Sequence, residues 1–442
     1  MRRFSWAVLV CAAWAVTACG GKVDGATDDA GAADAKLDAK PKPKDAGVDT
    51  STPYQPIGKK CDPPSGAAPP VWVPDDAGAP IHAPLVQSSG GPVLANPQFV
   101  AMTFDGDDQR DPIEDFIASV GCTSYWQSVV TDYGVNAAYA GTPVHLSDKA
   151  PDTIDDGQIG VFIRQKILNK QIPDAVPNQT LYVIFYPDTT DITLQGEHSC
   201  QSFGGYHNEV GMPDGRQVPY AVIPRCGGFG GLGTFDELTA TTSHELMEAV
   251  TDPNPMTKPA YQFPEGNGIA WAFGGGGEIG DLCEMNDDAF YMPGDYPFYV
   301  QRQWTNHSAF AGHDPCQPST STYFGASPVM PDVISFDIGL GPQTTTGVKL
   351  ALNATTSIDL KLFADAAWTA PISVSVHDAS HFFGGSTSLT FSQDTAQGQV
   401  GDTIKLQITR ISTNQQLGLE PFVIRAVSQG VTRSWWGVVG DP

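Results

Sequence analysis

The chain has 442 residues, with 24 Lys and Arg against 49 Asp and Glu, a net charge of −25, and 41% hydrophobic residues. So acidic a balance argues against nucleic acid as a partner and against docking on anionic lipid; it suits an exported protein. The length leaves room for two ordinary domains with sizeable cores.

Residues 1–18 read as an export signal: Arg2 and Arg3 are the basic start, and Phe4 to Val16 is an apolar run too short to span a bilayer. It ends in V-T-A-C, which resembles a bacterial lipobox with Cys19 as the lipidated residue, and Gly20 behind it fits release to the outer membrane. The lipid on Cys19 is then the one membrane attachment expected. Residues 19–60 are Asp, Ala, Lys, Pro and Gly with almost no large apolar side chain, the composition of a disordered tether. A flexible coil of that length spans roughly 35 Å. Loss of the leader leaves 22 basic against 49 acidic residues, a net charge of −27. It also leaves Cys61, Cys122, Cys200, Cys226, Cys283 and Cys316, an even set that predicts disulfides in an oxidising compartment. Pairing of neighbours, Cys61–Cys122, Cys200–Cys226 and Cys283–Cys316, closes local lobes; with no C-x-x-C, a zinc–thiolate cluster is disfavoured.

From Pro97 the pattern alternates. QFVAMTF (98–104) reads as a strand, 111–134 as a helix, PVHLS (143–147) as a short strand, and 157–169 as a helix. LYVIFYP (181–187) and VPYAVIP (218–224) are apolar strands, and the order suits an α/β or α+β domain over 61–320 with a twisted sheet under two helices. Between the last two strands, EHSCQSFGGYHNEV reads as a Gly-rich loop carrying His198, Cys200 and His207. TFDELTATTSHELMEAVTDP (234–253) reads as a helix, with Thr234 and Glu237 as a capping box and Pro253 as the stop. Phe235, Leu238, Thr242, Leu246, Ala249 and Val250 form its core stripe, which sets Glu245 close to apolar neighbours.

His244 and Glu248, one turn apart, share a helix face with Glu245 beside them, the arrangement of H-E-x-x-H with glutamate in place of the second histidine. The same pair also suits an ordinary i,i+4 ion pair. Downstream, GIAWAFGGGGEIGDLCE puts Glu278, Asp281 and Glu284 in a Gly-rich loop that can fold back over the helix, and YVQRQW reads as a strand. From Ser327 to the end, short alternating runs such as Ile404, Leu406 and Ile408 predict seven or eight strands in an antiparallel sandwich of immunoglobulin or fibronectin type. Trp435 and Trp436 are placed either in its core or on a carbohydrate-binding face, and His377 and His381 on its surface.

Taken together, Cys200 with His207, PYAVIPRC, SHELMEAVTDP and EIGDLCE, in that order over residues 95–316, resemble the phosphate-induced protein 1/EXORDIUM family and its bacterial relatives. The resemblance implies an exported, disulfide-bonded domain with a zincin-like site; the plant members are extracellular growth-related proteins. The fold expected is therefore α+β, a zincin-like α/β domain at 61–320 followed by an all-β immunoglobulin/fibronectin-like sandwich at 327–442. Two functions are open. In a metal-dependent hydrolase, His244 and Glu248 bind the ion, Glu278 or Asp281 completes the set, Glu245 is the base, and His207 stabilises the oxyanion or is an alternative ligand. The ion is Zn²⁺, with Mn²⁺ or Ca²⁺ as harder alternatives for so anionic a site. In a non-catalytic surface binding or signalling module, the same residues hold a structural ion. Either way the expected partner is a peptide or glycan outside the cytoplasm, and the expected state is a monomer.

Overall fold

The structure is a computed structural model describing residues 56–75, 78–228, 231–274, 276–319, 321–337, 343–380, 386–392, 395–413 and 418–442. The export signal, Cys19, the tether up to residue 55 and His381 lie outside the described residues. Helices and many β-sheets are mixed, and no described helix is long and apolar enough to cross a membrane.

The first half is built on a sheet running Tyr139–Ala140, Gln98–Thr103, Thr180–Tyr186, Gln217–Pro224, Tyr206–Gly211, with Val144–His145 also paired to Gln98–Thr103. The pairings are parallel except at the last edge, where Tyr206–Gly211 runs antiparallel to Gln217–Pro224. Helices cover both faces, not one as the sequence suggested. Phe99, Leu181, Val183, Ala221 and Ile223 face helices Arg110–Ser119 and Ser124–Val130 and the helix Thr234–Thr251. Val100, Tyr182, Ile184, Tyr220 and Val222 face helix Asp156–Leu168. A strand covered on both sides must be apolar at every position, which is why Thr180–Tyr186 reads as an unbroken apolar run.

The helix predicted over 111–134 is broken: a 3-10 turn at Val120–Cys122 separates its two halves, and the chain packs so tightly there that a Cβ on Gly121 would lie 2.4 Å from the Ala138 carbonyl oxygen. The three disulfides join Cys61 to Cys122, Cys200 to Cys226, and Cys283 to Cys316, the pairing expected from sequence.

Beyond Phe310 the described elements are strands only. Phe324–Pro328, Thr355–Ala364, Thr403–Arg410 and Leu389–Phe391 form a four-stranded sheet. Asp332–Phe336, Gln343–Lys349, Val431–Gly440, Leu419–Ser428, Ile372–Asp378 and Ala396–Gly398 form a six-stranded one. Phe391 of the first meets Phe422 of the second. One pair departs from the antiparallel expectation, because Gln343–Lys349 lies parallel to the closing strand Val431–Gly440.

The two regions share a core. Trp271 packs edge-on between Trp304 and Trp435, at ring separations of 5.3 and 5.2 Å, and Trp436 seats against Gly274. Both tryptophans of the closing strand are buried, which rules out the carbohydrate-binding face for them, whereas His377 is exposed as expected. Arg433, also buried, donates to both carboxylate oxygens of Asp288 and to Asp314.

Candidate metal centre

The helix Thr234–Thr251 is the centre of the first half, and it is buried nearly all round, not along one stripe. It packs on Gln217–Pro224, Tyr206–Gly211 and Val300–Gln301. The expected capping box is absent: Gly233 is the N-cap, Thr234 is already helical, and no side chain caps the turn.

His244 is 1% exposed and Glu248 2%. Gln301 fixes the histidine. Its backbone N–H donates to Ser243 Oγ, its carbonyl accepts from Tyr125 Oη, and its Nε2 donates to the Gly280 carbonyl at 2.8 Å. A carbonyl accepts only, so the amide is oriented with Oε1 toward His244, and His244 Nδ1 must donate to it, at 3.0 Å. The lone pair of His244 Nε2 is thereby turned into the site, where Glu248 Oε2 lies 3.0 Å away and Asp281 Oδ1 3.6 Å.

Glu248 is oriented in the same manner. Its Oε1 accepts from the backbone N–H groups of Gly280 and Asp281, at 3.0 and 3.2 Å, which leaves Oε2 facing His244. Only glycine serves at 280: a Cβ there would sit 2.7 Å from Glu248 Oε1 and 2.8 Å from the His244 ring. Asp281 Oδ2 accepts from the Glu278 backbone N–H, and no hydrogen bond reaches its buried Oδ1. With ligand bonds of about 2.0–2.1 Å, the corners of a tetrahedral zinc site lie about 3.3 Å apart. The two separations from His244, 3.0 and 3.6 Å, bracket that value, and all three ligand atoms lie within 4.8 Å of one another, so His244, Glu248 and Asp281 could hold a divalent cation.

His207 comes from the edge strand, not from a loop. The sequence concealed this because YHNEVG has a Gly-rich approach and no clean alternation. Its register partner is Ala221, which faces the helix, and cross-strand partners share a face. His207 Nε2 donates to the Asp252 carbonyl at 3.1 Å, so Nδ1 faces Glu245 Oε2 at 3.6 Å and Glu248 Oε2 at 3.8 Å. Of the two carboxylates offered as the third ligand, Asp281 joins His244 and Glu248, whereas Glu278 Oε1 lies 3.7 Å from His207 Nε2. Glu284 stands on the one-turn helix Asp281–Glu284, which the sequence left as loop.

Burial raises Glu278 well above the usual carboxylate range, and repulsion from Glu248 adds to it. The same two causes bring Asp281 up to about 7, and burial brings Glu284 to about 8. Glu245 is raised by burial, against a lowering pull from His207. For Glu248 burial is opposed and outweighed by His244 and His207, which hold its carboxyl low. Burial lowers His207, but Glu245 and Glu248 outweigh it and leave it raised. Glu248 is thus the carboxylate of the site whose charge is favoured, while burial works against charge on Glu245, Glu278, Asp281 and Glu284.

A cavity of about 490 Å³ opens over His207, Glu245, Glu248 and Asp281, with Met256 and Phe263 as apolar wall. Sequence offered no signal for Gln301 or for the Asp252 carbonyl, the two groups that set the histidine tautomers.

No family model and no curated protein sequence matches the chain. Solved structures similar in part include a conjugative transposon lipoprotein from Bacteroides eggerthii (11% identity, 28% of this chain and 100% of that one, TM-score 0.18). Others are a FixG-related protein from Vibrio parahaemolyticus (7%, 27% and 95%, 0.17) and WR4, an MSP family member of C. elegans (9%, 22% and 91%, 0.17). Likenesses this small bear on neither fold nor function.

Proposed function

We propose that the chain is an exported, lipid-anchored metal-dependent hydrolase of EXORDIUM-like type, most simply a peptidase, with a zincin-like site on the helix Thr234–Thr251 and an immunoglobulin/fibronectin-like sandwich behind it. The observation that carries this reading is the tautomer of His244, locked by Gln301 so that its lone pair meets Glu248 and Asp281 at ligand spacing. A buried imidazole with one N–H held by a carbonyl and its other nitrogen aimed at carboxylates is the arrangement of a metal ligand. Lipidation at Cys19, an outer-membrane or surface location and a monomeric state belong to the same proposal, and the disulfides support an oxidising compartment.

Zn²⁺, or Mn²⁺ or Ca²⁺, held there would acidify a water and polarise a substrate carbonyl. Glu245 lines the cavity, and burial has raised its carboxyl, so it is basic enough to take a proton from that water and return it to the leaving amine. His207, whose hold on a proton Glu245 and Glu248 strengthen, would offer an N–H to the developing oxyanion. The apolar wall of Met256 and Phe263 takes a peptide side chain.

Two variants test the reading on the 61–442 fragment. His244→Ala is expected to lose the bound metal by elemental analysis under sub-stoichiometric loading. Glu245→Gln is expected to keep metal and melting temperature while hydrolysis of a mixed peptide library falls at least about 10²-fold. Equal metal in wild type and His244→Ala sinks the site. A wild type that binds metal but cleaves nothing on a broad substrate panel points instead to a binding module with a structural ion.

A further inference from the structure

His207, Glu245 and Glu248 form a second triangle beside the first. The ligand atoms within each triangle lie within 4.8 Å of one another, and Glu248 belongs to both. The two histidines follow one plan. His244 gives its Nδ1 proton to Gln301, His207 gives its Nε2 proton to the Asp252 carbonyl, and each turns its remaining nitrogen toward Glu248 Oε2. His207 Nδ1 stands 3.6 Å from Glu245 and 3.8 Å from Glu248, close to the edge of a coordination polyhedron. Its side chain is 4% exposed and that of Glu245 2%, yet both line the cavity, so an ion has an entry path.

We propose that His207, Glu245 and Glu248 form a second, weaker cation site, bridged to the first through Glu248, and that filling it takes Glu245 out of use as a base. This rests on the reading of His244, Glu248 and Asp281 as the first site. The second is weaker because the entering cation meets the charge of a neighbour that shares a ligand. A hydrolase with this device works with one cation and is inhibited by excess of the same ion.

The test uses Zn²⁺ alone, by equilibrium dialysis with elemental analysis over a range of free zinc, on wild type, His244→Ala and His207→Phe. Wild type is expected to bind one zinc tightly and a second at free zinc at least about tenfold higher, with His207→Phe lacking only the second. Because His207→Phe can fail to fold, wild-type crystals soaked in low and high zinc provide an independent arm. An anomalous peak among His207 Nδ1, Glu245 and Glu248 is expected at high zinc only. A second zinc that persists in folded His207→Phe, or no second peak, overturns the proposal. One zinc lost in His244→Ala with no second leaves the proposed function standing and this inference wrong, whereas no zinc at all removes both.

Discussion

Gln301 shows how little of a site its ligands reveal. Hydrogen bonds through its backbone and side chain fix which way its amide points, and so decide which nitrogen of His244 carries a proton. Gln301→Leu keeps the bulk but releases the His244 Nδ1–H. It is expected to weaken zinc binding about 10- to 100-fold, measured by competition with a chelator, with little change in the far-ultraviolet spectrum. Unchanged zinc affinity would mean that the tautomer is set by something else. His244, Glu245 and Glu248 were legible because i,i+4 spacing on a helix is itself geometry. Gln301 was not, because a glutamine in a short strand between Val300 and Arg302 looks like any other polar strand residue.

At the scale of elements, long apolar runs and the main helices could be read directly, since burial on two faces or one leaves its period in the sequence. The edge strand Tyr206–Gly211 could not, because its pattern of buried and half-exposed positions has no period of two. Nor could the start of the site helix: Thr234 has the right chemistry for a cap but sits one residue inside. The loop Gly276–Asp281 and the helix together crowd acids that titrate out of place. In metal-free protein, burial raises Glu278, Asp281 (to about 7) and Glu284 (to about 8), so the native state keeps protons that the unfolded chain loses near pH 4. Stability from these groups therefore falls as pH rises from about 4 to 8. His207, burdened by burial but raised by Glu245 and Glu248, has the same sign: its contribution is full below its unfolded value and lost on the alkaline side. With a chelator present, the melting temperature is expected to decline between pH 5 and 8, and saturating zinc should reduce or reverse that decline. A chelator profile that rises across the window would contradict the assignment.

At the scale of the whole molecule, the C-terminal sheets are part of the body that carries the site. The 3-10 turn Gly266–Gly274, just before the loop that supplies Asp281, packs on strands Gln343–Lys349 and Val431–Gly440. Arg433 bridges Asp288 and Asp314 from the closing strand, and Asp314 is almost wholly buried. Arg433→Met strands that carboxylate and is expected to cost roughly 3–5 kcal/mol, read from the urea midpoint of a single shared transition. Two separate transitions, with the first half unaffected, would show that the regions stand independently. The sequence divided the chain at about residue 320 because helices give way to strands there, and a shared core of Trp271, Trp304 and Trp435 leaves no local mark. The Cys61–Cys122 bridge has a mechanical consequence. A pull from the N-terminal side, once past the hydrogen bond of Ile57 to Asp115, reaches Cys61 and passes through the sulfur–sulfur bond to Cys122, so the chain between them, a separation of 61 residues, carries no load. At about 3.3–3.6 Å per residue, that is roughly 200 Å of slack, released only when the bridge is reduced.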